Sequence, residues 1–422
     1  MLCQIEGSRA VADTVVACRP EVVCAYPITP QTHIVEAVGA AVKSGALAPC
    51  QFINVESEFA AMSVAIGASA TGARSYTATA SQGLLFMIEA VYNASGLGLP
   101  IVMTLANRAI GSPINIWNDH SDAMAVRDSG WVQLFAETNQ EAADLHVQAF
   151  CLAEELSAPV MVSMDGFLLT HAVEQVDVPT QAAVDAFLPP YEPRQVLDPA
   201  DPASIGAMVG PDAFEEVRYL VHLRQLQALD RIERIAERFA EAFGRRSGGL
   251  VTRYRSEDAR VVVVALGSIV GTLKDVVDVL RERGERVGVI GVTTFRPFPH
   301  AAIAEATANA ERVVVIEKAL SPGVGGILST DVLSAIAEGK HRVATVVAGL
   351  GGRAITERSL LVLLDDALAG RLEPLEFLDL DRGVAERQLA RLADVRRSGA
   401  IPENILRDIG VTGFAPHLGL AQ

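Results

Sequence analysis

Short apolar runs rich in Val and Ile alternate with amphipathic stretches of helical period along most of this chain. In residues 1–171 the runs predict strands, and the stretches between most of them predict helices. The predicted strands are 21–26, 51–55, 74–80, 100–106, 131–137 and 158–164, and the clearest helices are 31–43, 57–70 and 139–156. Strands that alternate with helices favour an α/β fold in which a parallel sheet carries helices on both faces.

A second α/β domain is predicted for residues 251–370, where the same alternation returns. Consecutive Val and Ile residues in its strands indicate that these strands are buried on both faces. The predicted strands are 259–268, 286–292, 312–319 and 342–350, and the predicted helices are 271–283, 299–309, 324–338 and 356–369.

The regions outside these two domains follow other patterns. Within residues 172–250, the proline-rich stretch 172–211 has little periodicity and predicts a linker or an extended arm. The amphipathic stretch after it predicts one long helix with Gly244 as its C-cap, which we interpret as a core or interdomain helix. Its apolar positions are Phe214, Val217, Leu220, Leu229, Ile232, Ile235, Phe239 and Phe243. Residues 371–422 carry a helical pattern near 384–397 and a tail with Pro and Gly, which we interpret as a contact for a partner chain.

The charge of the chain excludes several function classes. It has 422 residues, and 51 acidic against 35 basic side chains give a net charge of −16. Because no basic cluster interrupts this charge, we predict no nucleic-acid partner and no anionic-membrane partner. No apolar run approaches the roughly 20 residues that span a bilayer, and the first ten residues do not resemble a secretory leader. We therefore predict a cytoplasmic protein.

The cysteines argue against three kinds of site. Five are present, an odd number, and none forms a C-x-x-C pair. This usage argues against a disulfide framework, a zinc site and an iron–sulfur cluster in this chain. We expect most of them to be small buried side chains, and we assign no metal ligand to the chain.

In doubly wound sheets, ligands bind beyond the carboxyl ends of the strands, and three polar features of the sequence lie there. The first is the loop in "AYPITPQTHIVEA", residues 25–37. Pro27 and Pro30 restrict the backbone around Thr29, so the threonine hydroxyl meets a ligand with little loss of entropy. The local pattern allows equally that Thr29 caps the helix that begins near residue 31.

Glu56 and Glu58 form the second feature, between a predicted strand and a helix rich in Ala, Gly and Ser. A carboxylate at this position is often only a favourable partner of the helix dipole. A carboxyl group directed into apolar packing instead keeps its proton to higher pH, as acid–base catalysis near neutrality requires. The spacing leaves both interpretations open and does not choose between the two glutamates.

Arg108 is the third feature, in "ANRAIGSPINIWNDHSD", residues 106–122. A guanidinium at a strand end suits the bidentate capture of a carboxylate, although structural pairing with Asp119 or Asp122 competes with this interpretation. Residues 119–122 are contiguous, and adjacent side chains rarely converge on one atom, so we interpret them as a hydrogen-bonded loop.

Two glycine-containing segments are weaker signals. "SQGL", residues 81–84, predicts the start of a helix with a glycine that lets a neighbour come close. "GVGG", residues 323–326, stands between a strand and a helix and is compatible with an anion site, but it lacks the full dinucleotide spacing.

Taken together, "YPITPQT", "ESEFAAMSVAIGASATGAR", "TATASQGL", "ANRAIGSPINIWNDHSD" and "FRPFP" resemble the α subunits of the 2-oxoacid:ferredoxin oxidoreductase family. The resemblance runs in order from residue 7 to about residue 370. It implies a pyrimidine-binding domain for thiamine diphosphate, followed by a transketolase C-terminal-like α/β domain. "FRPFP" resembles the turn of that second domain.

The resemblance also implies roles for the site residues. Glu58 is the carboxylate that bonds N1′ of the aminopyrimidine ring and shares a proton with it. Thr29 bonds the head of the 2-oxo acid, and Arg108 holds its carboxylate. The remaining implied cofactor-binding residues are Pro27, Ile28, Ser81, Gln82 and Gly83.

The chain has "MDGF" at 164–167 but no Gly-Asp-Gly motif for a metal-bound diphosphate. The resemblance therefore implies β, γ and δ partner subunits that supply Mg²⁺, half of the thiamine diphosphate site and [4Fe–4S] clusters. The implied reaction converts pyruvate, coenzyme A and oxidised ferredoxin into acetyl-CoA, CO₂ and reduced ferredoxin, or the reverse. Alternatives are another 2-oxo acid such as 2-oxoisovalerate, a non-catalytic structural subunit, and a free-standing binding protein.

Overall fold

The computed structural model describes residues 2–202, 204–336, 341–394 and 399–411. Its contacts divide the chain into two compact units, Met1–Glu376 and Phe377–Gln422. Both predicted α/β regions lie in the first unit. Their boundaries as separate domains stay a prediction.

The first sheet and its helices come mainly from the N-terminal half. In chain order the elements are β1 (Leu2–Glu6), α1 (Gly7–Ala17), β2 (Val22–Ala25), α2 (Thr32–Lys43), β3 (Gln51–Asn54), α3 (Glu58–Ala70), β4 (Ser75–Thr79), α4 (Ser81–Phe86), α5 (Ile88–Leu97), β5 (Ile101–Asn107), α6 (Ser121–Ala125), β6 (Val132–Phe135), α7 (Asn139–Leu156), β7 (Val160–Asp165), β8 (Val173–Asp177), α8 (Gln181–Phe187) and α9 (Pro211–Phe243). All six predicted strands and the three clearest predicted helices of this region are confirmed.

The second sheet comes from the following residues. Its elements are β9 (Val251–Tyr254), β10 (Val261–Ala265), α10 (Ile269–Glu282), β11 (Val287–Val292), β12 (Thr294–Arg296), α11 (His300–Thr307), β13 (Arg312–Glu317), α12 (Leu328–Ala335), β14 (Arg342–Val347), α13 (Glu357–Ala369) and β15 (Leu375–Phe377). The four predicted strands and four predicted helices are confirmed, except that residues 337 and 338 of one predicted helix lie outside the described residues.

The first sheet has seven strands in the order β12, β6, β7, β5, β4, β2, β3. Its six strands from the N-terminal half are parallel, as predicted. The seventh strand, β12, belongs in sequence to the second sheet's region and pairs antiparallel with β6. The predicted turn "FRPFP" thus begins on a strand that joins the two α/β regions.

The second sheet has six strands in the order β15, β14, β13, β10, β11, β9. Strands β10, β11, β13 and β14 are parallel, and β9 runs antiparallel at one edge. The central strands are buried on both faces, which agrees with their continuous Val and Ile runs.

Two apolar clusters cover the first sheet. One joins it to α1, α2, α7 and the C-terminal half of α9. The other joins its opposite face to α3 and α5 and continues into strands β10, β11 and β13 of the second sheet. Because the second cluster is shared, the two sheets form one compact unit.

The stretch 172–211, predicted as a linker or an extended arm, contains two short regular elements in its first part. Strand β8 pairs antiparallel with β1 at the N-terminus, and α8 packs against α9. The Phe187 and Phe239 rings, for example, have centroids 5.8 Å apart. These short elements depend on partners that are distant in sequence, so no local period announces them.

The long helix α9 ends at Gly244, whose φ of 69° confirms the predicted glycine cap. Ile232, Ile235 and Phe239 are buried in its C-terminal half. The first turns of α9 are exposed. The accessible fractions of Phe214, Val217 and Leu220 are 56%, 38% and 60%. The C-terminal half therefore agrees with a core helix and the first turns do not, while the alternative of an interdomain helix stays a prediction.

The second unit contains α14 (Arg382–Asp394) and α15 (Ile401–Asp408), which an ion pair between Arg391 and Asp408 joins at 3.0 Å. The predicted helix near 384–397 is confirmed as far as residue 394, and residues 395–397 and 412–422 lie outside the described part. Contact with a partner chain stays a prediction.

Across the described ranges, no helix is both long enough and apolar enough to cross a bilayer.

Candidate active site

The predicted site residues lie at one edge of the first sheet. Strands β2, β3, β4 and β5 are parallel, so the loops that follow them leave the sheet on the same side. After β2 the chain forms β3 on one side of β2 and then crosses to form β4 on its other side. In doubly wound sheets such a reversal opens a crevice between the loops, which is the usual position of a ligand.

Glu58 begins α3, and the Ser57 side chain caps this helix by accepting the Ala60 N–H at 3.2 Å. Glu58 is 8% exposed, whereas Glu56 is exposed. Within the described parts of the chain, the Glu58 carboxylate makes no hydrogen bond. Its oxygens are not among the fully enclosed atoms that lack a partner, so the carboxylate still reaches solvent and is free to accept a hydrogen bond from a ligand.

Gly83 of α4 lies directly against Glu58. A Cβ atom placed on Gly83 would stand 2.7 Å from Oε1 of Glu58 and 2.6 Å from Oγ1 of Thr79. The glycine therefore allows the close approach that was predicted, with the α4 backbone against the carboxylate. The Thr79 hydroxyl is buried and also lacks a partner among the described residues.

Arg108 is 6% exposed and directs its side chain at two backbone carbonyls. Its Nε donates to the Asn115 oxygen at 2.9 Å, and its Nη1 donates to the Thr29 oxygen at 3.1 Å. Burial lowers the pKa of Arg108, and the nearby Asp122 carboxyl partly opposes this change. The predicted alternative, an ion pair of the guanidinium with Asp119 or Asp122, is wrong.

Thr29 does not cap α2. The helix begins at Thr32, and Gln31 occupies the cap position without a side-chain cap bond. The Gln31 amide instead donates to the Ala78 oxygen of β4 at 2.6 Å, which fixes the loop to the sheet. The structure thus brings the Thr29 loop and Arg108 together and leaves Thr29 exposed.

Asp122 organises the backbone around this site and was not singled out from the sequence as a functional residue. It accepts the N–H groups of Ser81 at 3.0 Å and Arg108 at 2.9 Å, and the Asn107 amide at 2.9 Å. Burial raises the pKa of Asp122 to about 6, against the lowering effect of these bonds. Of residues 119–122, interpreted as a hydrogen-bonded loop, residues 119 and 120 lie in a loop and Ser121 and Asp122 begin α6.

A family model described as pyruvate flavodoxin/ferredoxin oxidoreductase, thiamine diphosphate-binding, matches residues 13–237. A second, described as pyruvate:ferredoxin oxidoreductase core domain II, matches residues 259–360. The pyruvate synthase subunit PorA of Methanosarcina barkeri is 49% identical over 385 residues, 89% of this chain and 96% of the relative. The chain belongs to the pyruvate flavodoxin/ferredoxin oxidoreductase family.

Further similarities agree with this family. The PorA subunit of Methanothermobacter thermautotrophicus is 45% identical, over 83% of this chain and 91% of the relative. The ketoisovalerate oxidoreductase subunit VorA of Pyrococcus horikoshii is 39% identical, over 86% and 92%. The solved 2-oxoglutarate:ferredoxin oxidoreductase from Magnetococcus marinus matches with a TM-score of 0.68 at 20% identity, over 86% of this chain and 65% of that one. This last likeness concerns the fold alone, and it supports the predicted fold class.

The aspartate of "MDGF", Asp165, is bonded to other residues of the same chain. Asp165 bonds His120 Nε2 at 2.7 Å and Lys318 Nζ at 3.0 Å, and it accepts the Ser268 N–H at 3.2 Å. Burial raises the pKa of Asp165, but Lys318 and His120 lower it more, so it lies well below the ordinary value. This network joins the two sheets and was not predicted.

The "GVGG" segment leads into a helix start that already holds a carboxylate. The Glu317 carboxylate accepts the N–H groups of Ile327 at 2.6 Å, Leu328 at 2.9 Å and Ser329 at 3.1 Å, at the start of α12. The N-terminus of α12 therefore already binds an anion, which is a side chain of the same chain. These donors lie outside residues 323–326, so an anion at "GVGG" itself stays a prediction.

The residues at the crevice fit an aminopyrimidine ring. A ring nitrogen would give the Glu58 carboxylate a hydrogen-bond partner, and the missing side chain of Gly83 lets the α4 backbone lie directly against that carboxylate. Ser81, next to Gly83, is held by bonds to the Ala109 oxygen at 2.6 Å and to Asp122. Thiamine diphosphate, which the family description names, contains such a ring.

Proposed function

We propose that this chain is the α subunit of a multi-subunit, thiamine diphosphate-dependent pyruvate:ferredoxin oxidoreductase. The observation that carries the proposal is a largely buried glutamate and a largely buried arginine that form no ion pair within the described residues. Glu58 lies against Gly83 with no room for a methyl group between them, and the Arg108 guanidinium donates to two carbonyl oxygens. Relatives named pyruvate synthase subunits, at 40–49% identity against 39% for the ketoisovalerate subunit, support pyruvate as the substrate.

Glu58 would hold the proton at N1′ of the cofactor's aminopyrimidine ring. When bound, thiamine diphosphate supplies the carbon nucleophile that attacks the keto carbon of a 2-oxo acid. A carboxylate in water-poor surroundings interacts strongly with a ring nitrogen and shares its proton readily. Ser57 and Gly83 contribute indirectly. Ser57 fixes the start of the helix that carries Glu58, and Gly83 lies against the Glu58 side chain and limits its position. Pro27, Ile28, Ser81 and Gln82 complete the proposed cofactor contacts.

Arg108 would bind the carboxylate of the substrate. Its Nε and Nη1 are engaged by Asn115 and Thr29, while its Nη2 makes no hydrogen bond within the described residues. The fork geometry of a guanidinium suits a carboxylate, and burial strengthens the attraction. Because the same guanidinium holds the Thr29 carbonyl, the Thr29 hydroxyl would lie beside the bound 2-oxo acid and bond its head.

The remaining parts of the reaction would come from other chains. We propose that a β subunit binds the diphosphate and its Mg²⁺, and that β and δ subunits carry [4Fe–4S] clusters that pass electrons to ferredoxin. A γ subunit would complete the complex, and coenzyme A would accept the acyl group. Asp165, the residue of this chain most similar to a diphosphate-site aspartate, is engaged by Lys318 and His120, which supports this division. The cytoplasmic location stays a prediction.

The test is pyruvate-dependent reduction of ferredoxin, under anaerobic conditions, by the complex reconstituted with Glu58→Gln. Gln keeps the shape of the side chain but cannot share a proton as a carboxylate does. We expect the variant to assemble and to lose most of its turnover, on the order of 10²-fold or more. Glu56→Gln is the matched control, since Glu56 is a neighbouring exposed glutamate and should keep its activity.

Three outcomes would contradict parts of the proposal. Near-normal turnover by Glu58→Gln would remove the assigned role of Glu58 and favour a structural subunit. Loss of turnover in Glu56→Gln alone would transfer the role to Glu56. Faster reduction with 2-oxoisovalerate than with pyruvate, in the same assay with the unmodified chain, would support the alternative substrate.

A further inference from the structure

Glu6, His33 and His171 form a cluster outside the proposed active site. Glu6 ends β1, His33 is the second residue of α2, and His171 lies in the loop between β7 and β8. One ligating atom from each side chain lies within 4.8 Å of those of the other two. Three segments that are far apart in sequence therefore bring two imidazoles and one carboxylate to one point.

Hydrogen bonds orient both imidazoles. His33 Nδ1 lies 2.7 Å from Oε1 of Glu6, and His171 Nδ1 lies 2.7 Å from Oγ1 of Thr170. The Thr170 hydroxyl is itself fixed, because it accepts the Phe167 N–H at 2.8 Å. With Nδ1 of His171 engaged, its Nε2 is the nitrogen left for a ligand. A bond to a residue outside the ligand set, as Thr170 provides for His171, is what orients the histidines of metal sites.

We propose that Glu6, His33 and His171 bind a divalent transition-metal ion such as Zn²⁺. Two imidazole nitrogens and one carboxylate are a usual set of three protein ligands for zinc, with the fourth position open to water. Imidazole favours zinc, nickel, cobalt and copper over magnesium or calcium, which take oxygen ligands. The proposal does not rest on the proposed enzyme function, and it revises the expectation that this chain holds no metal ligand.

The required movement is small. Ligands of a tetrahedral zinc ion lie about 3.3 Å apart, given bond lengths of about 2.0–2.1 Å. The present separations, up to 4.8 Å, need side-chain shifts of roughly 1.5 Å or less. His33 is half exposed and Glu6 is about a third exposed, so both have the freedom to move.

The surroundings allow an ion to enter and do not repel it. An open depression of about 590 Å³ adjoins Glu6 and His33 and leaves room for a water ligand. The cation on its rim, Arg9, is neutralised by Asp13 at 2.7 Å, and Glu36 adds a negative charge. A cation is therefore favoured at this place over an anion.

Metal binding would connect the cluster to the loop that carries Thr29. His33 stands four residues after Thr29, and the Gly166 backbone packs against Pro30, where an added Cβ would be 2.6 Å from its ring. His171 stacks on Phe167, with ring centroids 4.8 Å apart, in the loop that contains Gly166. An ion held by His33 and His171 would thus fix the Thr29 loop to the loop after β7.

The test is a titration of the full-length chain, without a polyhistidine tag and after chelator dialysis, with Zn²⁺ followed by calorimetry. We expect one ion per chain, and we expect His33→Ala and His171→Ala each to weaken binding by about 10- to 100-fold or more. His222→Ala, which removes an exposed histidine of α9, is the matched control and should bind as the unmodified chain does. Co²⁺ in place of Zn²⁺ should give visible absorption of a tetrahedral site in the unmodified chain only.

A second measurement separates binding from misfolding. Zn²⁺ should raise the unfolding temperature of the unmodified chain and of His222→Ala, but not of His33→Gln or His171→Gln, which keep side-chain size. Circular dichroism checks that the variants are folded. Unchanged Zn²⁺ affinity in folded His33 and His171 variants, or no binding by the unmodified chain, would overturn the proposal.

Discussion

Two groups of buried charges lie at the same edge of the first sheet, and they differ in their partners. Asp165 accepts hydrogen bonds from Lys318, His120 and Ser268, and these donors stabilise its charge. Glu58 has no hydrogen bond within the described ranges, and Arg108 contacts only carbonyl oxygens. A buried charge is stable only when it is paired and hydrogen-bonded. The first group therefore stabilises the structure, and the second is the ligand site that we propose.

This contrast gives each group a different expected response to mutation. Removing one member of a paired group leaves the other charge buried and alone, which destabilises the fold. Removing a charge that has no charged partner costs the fold little and affects only the ligand. Stability and activity measurements on the same variants therefore separate the two groups.

The largest expected effect is on stability, from Asp165→Asn. The substitution removes the charge that Lys318 faces at 3.0 Å and leaves that ammonium buried. We expect the free energy of unfolding to fall by about 3–5 kcal/mol, measured by urea denaturation of the full-length chain. The double variant Asp165→Asn with Lys318→Met should lose less than the sum of the two single variants, because it leaves no unpaired ammonium.

The stability gap between the unmodified chain and Asp165→Asn should depend on pH. The pKa of Asp165 is lowered in the folded state, so its stabilisation is complete above the unfolded value of about 3.9. It is lost as the pH falls below that value toward the folded pKa. The stability gap should therefore be constant between pH 5 and 7, which is roughly one pH unit or more above the unfolded pKa. It should become smaller below about pH 4. A gap that widens on acidification would contradict the assigned charge state.

The sheet and its functional edge followed from local patterns. The Val and Ile runs of β2 to β7 are recognisable one by one, and parallel strands necessarily place their following loops on one side. Residues at the start of those loops, such as Thr29, Glu58 and Arg108, are therefore identifiable without knowledge of the tertiary structure. Choosing Glu58 over Glu56 needed the family resemblance, and the structure adds that only Glu58 is buried.

The Asp165 network was not predictable in the same way. Its partners are 45 to 153 residues away in sequence, and they meet only because β12 and a shared apolar cluster join the two sheets. One local signal was present: Asp165 ends the mainly apolar strand β7, and Lys318 directly follows β13, whose central residues are apolar. A pair of such residues of opposite sign indicates a buried ion pair, without telling which strands meet.

Gly83→Ala tests the space beside Glu58 and should have the next largest effect. The added methyl group would overlap Oε1 of Glu58 and Oγ1 of Thr79, at 2.7 and 2.6 Å. We expect a loss of about 1–3 kcal/mol in the free energy of unfolding, from overpacking, together with weaker thiamine diphosphate binding by the assembled complex.

Gly96→Ala is the matched control for Gly83→Ala. Gly96 lies in α5, and a Cβ atom there would meet nothing within 4 Å. Since alanine is the better helix former, this control should gain about 0.5–1 kcal/mol. Equal effects of the two substitutions would show that the space beside Glu58 is not closely fitted.

Arg108→Met should have the smallest effect on stability and a selective effect on the substrate. The variant loses hydrogen bonds to the Thr29 and Asn115 carbonyls, but it also removes a buried charge, so we expect a net change of about 1 kcal/mol or less. The KM for pyruvate should rise roughly 10- to 100-fold in the reconstituted complex, as loss of a charged hydrogen bond predicts.

Arg74 is equally buried, at 6% exposure, yet it pairs with Glu154 at 2.5 Å. Arg74→Met should therefore destabilise the chain by about 3–5 kcal/mol while KM stays the same. If Arg108→Met instead unfolds the chain as Arg74→Met does, or leaves KM unchanged, then an unpartnered buried charge does not mark the ligand site in this protein.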